Sequence, residues 1–291
     1  MQSNLLALSR LFAEQLGLER PSEPYSLERF ERLVERVMRR AGVAREKRAR
    51  TRDARIVRVF LKMTQHSYAR LLEPNPDPPP ELLELCRKIR ETAPKTKGHF
   101  AQSRIDEASA CRRAQVVLEQ VPLGSSILML GDDDGVSPLL ASRYRLTTID
   151  LDMDTLRWIS ESSPEVETFQ VDVREIPVSF HERFDAVVAD PIRGPEAESF
   201  VSSAYRSLAP GGLFFWADHP DWNLAFKALK TGSQPQMQPL GSYPNWHQYP
   251  ASLLTGGEDL SVLDAESRRF LELGELISLW SNLYILEKTK A

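Results

Sequence analysis

The hexapeptide Leu130-Gly131-Asp132-Asp133-Asp134-Gly135 follows directly on an apolar run, ILML at 127–130, and Asp150 closes the next apolar run about twenty residues later. This is the spacing of a nucleotide-binding turn. Glycines let the backbone approach a ligand closely, and an acid after the second strand accepts hydrogen bonds from ribose hydroxyls. A third apolar run ends at Asp172 and a fourth, FDAVVAD at 184–190, ends at Asp190. Aspartate also caps helices and turns, so each of these positions alone has a structural explanation. Four acidic positions at the ends of successive strands, however, sit where open α/β sheets bind their ligands.

The three consecutive acids set the expected charge of that ligand. At about 4 Å and an effective dielectric near 20, a like-charge contact costs roughly 4 kcal/mol before screening. A donor carrying a methionine carboxylate is therefore disfavoured beside Asp132, Asp133 and Asp134, whereas decarboxylated S-adenosylmethionine retains only its ammonium and is attracted. Pro191 keeps the chain extended past the fourth run and leaves Asp190 at the cleft mouth, where it can orient an amine and draw off its proton. Downstream, Asp218, His219, Asp221 and Trp222 follow a fifth apolar run, LFFWAD at 213–218. Tyr243, Trp246, His247 and Tyr249 then mark a loop that either closes over an alkyl-ammonium acceptor or packs on the sheet edge. No histidine has metal-ligand spacing to cysteines or acids.

The elements that must position these residues change character along the chain. Up to about Arg90 the pattern is helical, with Leu27, Phe30, Val34, Val37 and Ala41 at three- and four-residue steps behind Ser26 as N-cap. The basic run from Arg45 to Arg58 reads as a solvated helix face or, alternatively, a nucleic-acid contact. The proline-rich PNPDPPP at 74–80 breaks the helices. A short helix from Glu81, a loop PKTKGHF at 94–100 and a helix over Ile105–Gln120 follow. From Ser126 onward short apolar runs alternate with helical stretches, which predicts a mostly parallel sheet covered on both faces. A helix near Ala265–Leu279 and a strand LYILEK close the chain. The expected organisation is a helical domain over 1–95 and an α/β, Rossmann-like domain of the S-adenosylmethionine-dependent transferase type over 96–291.

The 291 residues carry a net charge of −4, which by itself favours no nucleic-acid partner. Two cysteines, Cys86 and Cys111, are too few for a disulfide framework or a four-cysteine zinc site and suit a reducing cytosol. The N-terminus lacks the pattern of a signal peptide and no segment is long and apolar enough to span a bilayer, so a cytoplasmic protein is expected.

The run from Gly98 to Trp222, with GDDD, IDLD at 149–152 and FDAVVADP at 184–191, resembles the branched-chain polyamine synthases, the N4-bis(aminopropyl)spermidine synthases. The DP-x-x-GP stretch at 190–195 is also similar to the DPxGPA segment of linear spermidine synthases, displaced by one residue. The resemblance implies transfer of aminopropyl groups from decarboxylated S-adenosylmethionine to a polyamine, with release of methylthioadenosine and without a metal. Where the family reads Asp-Pro-Pro, this chain reads Asp-Pro-Ile-Arg, and Arg193 brings positive charge near the acceptor.

The candidate site follows. Asp190 and Asp133 are the catalytic pair. Gly131, Asp132, Asp134, Gly135, Asp150, Asp152 and Asp172 hold the donor, and Pro191, Asp218, His219 and Trp246 the acceptor. The expected partner is a small amine or polyamine substrate, with no membrane or nucleic acid, and the expected assembly is a homodimer. S-adenosylmethionine-dependent methyl transfer and a non-catalytic nucleotide- or nucleic-acid-binding module are the alternatives.

Overall fold

The computed structural model describes residues 2–40, 64, 65, 67–69, 74–97, 100, 102–191, 196–218, 237–250 and 278–289. The basic run at 45–58, the Ile192–Pro195 stretch with Arg193, and His219, Asp221 and Trp222 lie outside these residues, as does residue 265 to 277 of the expected closing helix. Two compact units are distinguished, Met1–Pro76 with Pro250–Leu279, and Asp77–Tyr249 with Trp280–Ala291.

In the first unit, α1 (Gln2–Gln15) and α2 (Leu27–Arg40) are joined by a turn. Ser26 caps α2, its Oγ accepting from Arg29 N at 3.4 Å. The spacing of apolar residues places Phe30, Leu33 and Val34 on one buried face. Phe30 meets Phe12 edge-on at 4.9 Å and stacks on Tyr68 at 3.7 Å. Tyr68 Oη donates to Tyr25 O at 2.6 Å, so its polar end is satisfied inside an apolar cluster.

The second unit opens with α3 (Pro80–Arg90), whose first turn tolerates proline because its N–H groups lack intrahelical partners. Helix α4 (Glu107–Gln120) follows, capped by Asp106 through Ser109 N at 2.6 Å. The chain then alternates: β1 (Ser126–Leu130), α5 (Val136–Leu140), β2 (Arg145–Asp150), α6 (Met153–Ser162), β3 (Glu167–Gln170), β4 (Phe184–Ala189), α7 (Glu196–Ser207) and β5 (Leu208–Asp218). Strands β6 (Met237–Pro250) and β7 (Ser278–Lys288) complete it. The expected α/β architecture is thus observed. The helix from Glu81 belongs to the same unit as the sheet: Trp158 of α6 donates to Ile89 O at 3.0 Å, and Arg90 donates to Asp134 O at 2.7 Å.

The seven strands run β3-β2-β1-β4-β5-β7-β6, the first five parallel and β7 antiparallel to β5. Strand order reverses between β1 and β4, which makes their carboxyl ends the switch point where a doubly wound sheet binds ligands. Register brings the acids there. Leu130 pairs with Ile149 and with Ala189, so Gly131, Asp150 and Asp190 each follow an aligned residue at one level of the sheet. Beneath them Leu128, Leu130, Val187, Phe214 and Trp216 form the core.

One element departs from expectation. The Tyr243–Tyr249 segment is not a loop but part of β6 at the sheet edge, and its aromatic side chains pack there: Tyr243 lies 4.7 Å from Trp246. The prolines Pro239 and Pro244 disguised it, because an edge strand tolerates the missing donors that an inner strand cannot.

Candidate functional site

The turn after β1 distributes its three carboxylates to three different tasks. Gly131 takes a left-handed conformation, φ +74°, and donates to Ile149 O at 2.9 Å. Asp132 turns inward and caps α5, accepting from Val136 N at 2.8 Å, Ser137 N at 2.7 Å and the Ser137 hydroxyl. Burial nonetheless pushes its carboxyl up to about 6, against those hydrogen bonds. Asp133 faces the cleft and accepts from Ser103 N at 3.1 Å. Burial, then the neighbouring Asp134 and Asp190 carboxylates, hold it well above its ordinary value. Asp134 accepts from Ile105 N at 2.8 Å and from Arg113 Nη1 at 2.8 Å. The turn is therefore tied to the 102–105 segment, with Arg104 donating to Asp133 O at 2.6 Å.

Arg113, buried on α4, is shared between Asp134 and Asp190. Asp190 also receives the Tyr249 hydroxyl at 2.8 Å to each oxygen. Burial raises the Asp190 carboxyl, while Arg113 pulls it back down. Behind this pair, Arg113 Nε donates to His247 Nε2 at 3.0 Å, and Ser281 Oγ lies 3.0 Å from both His247 Nδ1 and Tyr249 Oη.

Asp150 closes β2, accepts from Asp152 N at 2.8 Å, and is raised by burial. Asp172 caps a short 3₁₀ turn and pairs with Arg174; that hydrogen bond lowers its carboxyl. Asp152 is committed elsewhere. It caps α6 and receives Lys97 Nζ at 2.6 Å and Gln102 Nε2 at 3.0 Å. Burial alone would raise it, but those donors leave it below the ordinary range.

Together these groups line a cleft of about 250 Å³ at the carboxyl ends of β1, β2 and β4. Asp133, Asp134, Asp150, Asp172, Asp190 and Glu196 contribute carboxylates, and Arg174 is the one cationic side chain among the described lining residues. Phe100, Leu130, Ile149, Val171 and Phe200 supply apolar walls. Such a site suits a ligand with an apolar, flat portion and a positively charged end.

Of the residues expected from sequence, the cleft brings together Gly131, Asp133, Asp134, Asp150, Asp172 and Asp190. Asp132, Gly135, Asp152, Pro191, Asp218 and Trp246 do not line it. Gly135 serves packing: it adopts φ +71°, and a Cβ there would meet Trp158 Cη2 at 2.5 Å. Asp218 ends β5 opposite Asn282. Trp246 lies under Arg112, whose guanidinium is 5.9 Å from the ring. Arg113 is not among the residues expected from sequence, although a charge beside Ala110, Ala114 and Val117, all buried on α4, is a visible signal. Gln102, Phe100 and Glu196 carried none.

Residues 81–213 match the family of the branched-chain polyamine synthase A C-terminal domain. The likeness to branched-chain polyamine synthases is a property of this segment. It spans α3 through the first residues of β5, and so includes Arg113, the GDDD turn, Asp150 and Asp190. The chain is an enzyme of the transferase class. No curated protein sequence matches the chain.

Among solved structures, the chain is similar to the branched-chain polyamine synthase from Thermus thermophilus, crystallised in complex with N4-aminopropylspermidine and 5'-methylthioadenosine. The identity is 14%, over 100% of this chain and 95% of that one, with a TM-score of 0.58. The C9 mutein of that enzyme, in complex with the same two compounds, gives 15% identity over 99% and 94%, also at 0.58. At these identities the likeness is one of fold, the Rossmann-like, mostly parallel sheet of S-adenosylmethionine-dependent transferases.

Proposed function

We propose that the chain transfers aminopropyl groups from decarboxylated S-adenosylmethionine to an amine of polyamine type, releasing 5'-methylthioadenosine. The observation that carries this reading is the charge of the cleft at the switch point. Among the described residues, six carboxylates line it against one cation, Arg174, and Arg174 is already paired with Asp172. An ammonium gains there, and a carboxylate loses.

The charge argument rests on fewer residues than the motif suggests. Asp132 is spent on α5 and Asp134 is shared with Arg113. The carboxylates of Asp133 and Asp150 accept from the backbone N–H groups of Ser103 and Asp152, so Asp133 is the proposed partner of the donor ammonium and Asp150 of the ribose hydroxyls. Val171, Val173 and Phe200 would take the adenine, with Asp172 beside them. The acceptor amine would lie on Asp190.

In the transfer, the acceptor nitrogen lone pair forms a bond to the propyl carbon attached to sulfur. The carbon–sulfur bond breaks with its electron pair left on sulfur, which becomes the neutral thioether of methylthioadenosine. The extra proton on the acceptor nitrogen passes to Asp190 or to water. A sulfonium leaves readily, so holding the two reactants in line supplies much of the rate. A crowd of carboxylates also stabilises the protonated, unreactive acceptor. Arg113, placed behind Asp190, offsets that field near the nucleophile and leaves the donor end strongly negative.

Mass spectrometry of spermidine and other polyamines, incubated with enzyme and either donor, tests the proposal. Addition of an aminopropyl mass with the decarboxylated donor is expected. Tighter binding of S-adenosylmethionine than of its decarboxylated form, or addition of a methyl mass, would sink it.

A further inference from the structure

Five side chains of the second unit form a closed circuit of hydrogen bonds around the carboxylate that ends β4. Arg113 Nη2 donates to Asp190 Oδ2, and Arg113 Nε donates to His247 Nε2 at 3.0 Å. His247 Nδ1 is 3.0 Å from Ser281 Oγ, which is 3.0 Å from Tyr249 Oη. Tyr249 Oη returns to both oxygens of Asp190 at 2.8 Å.

With Asp190 ionised, one proton arrangement satisfies every link. A guanidinium only donates, so His247 Nε2 must accept. The neutral imidazole then carries its proton on Nδ1 and donates it to Ser281. The serine hydroxyl proton goes to the tyrosine oxygen, and the tyrosine proton goes to Asp190. Each hydroxyl rotor and the imidazole tautomer is set by its neighbour, starting from an arginine that does not titrate in the working range. As a carboxylate, Asp190 stands at the end of both arms and accepts from each.

We infer that His247, Ser281 and Tyr249 are positioning residues that, with Arg113, lock Asp190 as an ionised acceptor with one carboxylate edge left to the cleft. The catalytic meaning rests on the proposed transfer, but the proton arrangement does not. His247, Ser281 and Tyr249 are all buried, so the circuit has no outlet to solvent and is a clamp, not a proton relay. A proton taken from an acceptor amine would leave Asp190 only through the cleft. His247, Ser281 and Tyr249 come from β6 and β7, beyond the 81–213 segment that matches the synthase family.

The groups that set the charge of Asp190 among the described residues are few. Arg113 of α4 and Tyr249 of β6 favour the carboxylate, Asp133 and Asp134 of the β1 turn disfavour it, and Glu196 of α7 lines the same cleft. Burial and the cations of Arg113 and Arg112 hold the His247 imidazole neutral well below its ordinary value.

Nitrogen-15 spectra of the full-length, ligand-free protein test the arrangement without any activity. His247 is assigned by the signal lost in His247→Gln. A neutral ring protonated on Nδ1, persisting well below pH 6.5, is expected; an Nε2–H tautomer or an imidazolium at that pH overturns the inference. Kinetics provide the second arm. Tyr249→Phe should lower kcat about tenfold or more and move the acidic limb of its pH profile upward, with donor affinity unchanged. His247→Gln, whose amide can both accept and donate, should retain activity that His247→Ala loses. An acidic limb that stays in place in Tyr249→Phe would remove the clamp's role. If the wild-type protein transfers nothing, the functional reading fails while the tautomer still decides the clamp.

Discussion

Asp133 and Asp190 lie in one cleft under different constraints, and their variants should fail differently. Asp190→Asn removes the acceptor-orienting carboxylate and should cut kcat by about 100-fold or more while donor binding persists, as steady-state kinetics beside donor titrations would show. Asp133→Asn deletes a charged hydrogen-bond partner and should weaken the decarboxylated donor by about 10- to 100-fold, measured by calorimetry. The raised Asp133 carboxyl adds a pH signature. The free site holds its proton to higher pH than a complex with an ammonium does, so binding should release up to one proton and strengthen as pH rises through that window. Titrations in buffers of different ionisation enthalpy would reveal it, and binding without proton release would contradict the assignment. Asp132 acts on stability instead. Its folded value, about 6, lies above the ordinary 3.8, so its contribution is complete below 3.8 and is lost as pH rises through 6. Relative to Asp132→Asn, the wild type should lose about 3 kcal/mol of unfolding free energy across that range in urea titrations.

Elements decide which of these side chains meet. Gly135, the N-cap of helix α5, takes a left-handed conformation against the Trp158 ring of α6. Gly135→Ala should cost about 2 to 5 kcal/mol, combining the left-handed penalty with overpacking, read from urea unfolding. Helix α4 contributes Arg113 to the site, and Arg112 binds Trp246 O of β6 at 3.3 Å. That helix therefore ties the edge strand to the catalytic end of the sheet. The sequence reads as a helix over 105–120, which matches α4 (Glu107–Gln120). It gave no hint that this helix would meet β6, because the partner lies 134 residues away and reads as a loop through its prolines.

The whole molecule adds two strands, β7 and the edge strand β6, beyond the 81–213 segment that matches the synthase family. Truncation after Asp218 would strip β7 from β5, whose Phe214, Phe215 and Trp216 are buried, and leave a long apolar edge open to association. Such a chain should be recovered mostly as aggregate, as soluble yield and gel filtration would show, and should have lost the Asp190 clamp. Five strand runs and the acids that end them were legible from residues alone, because inner parallel strands need unbroken apolar runs and their polar stops fall at one end of the sheet. Register then delivered Gly131, Asp150 and Asp190 to a common level. The direction in which each acid turns was not legible. Asp132, Asp133 and Asp134 are chemically identical neighbours, yet one caps a helix, one faces the cleft and one is shared with an arginine. That choice is a competition for carboxylate lone pairs among donors 29 residues away at Ile105, 21 at Arg113 and only four at Val136. Local spacing determines the last of these, whereas only the folded chain brings the first two within reach.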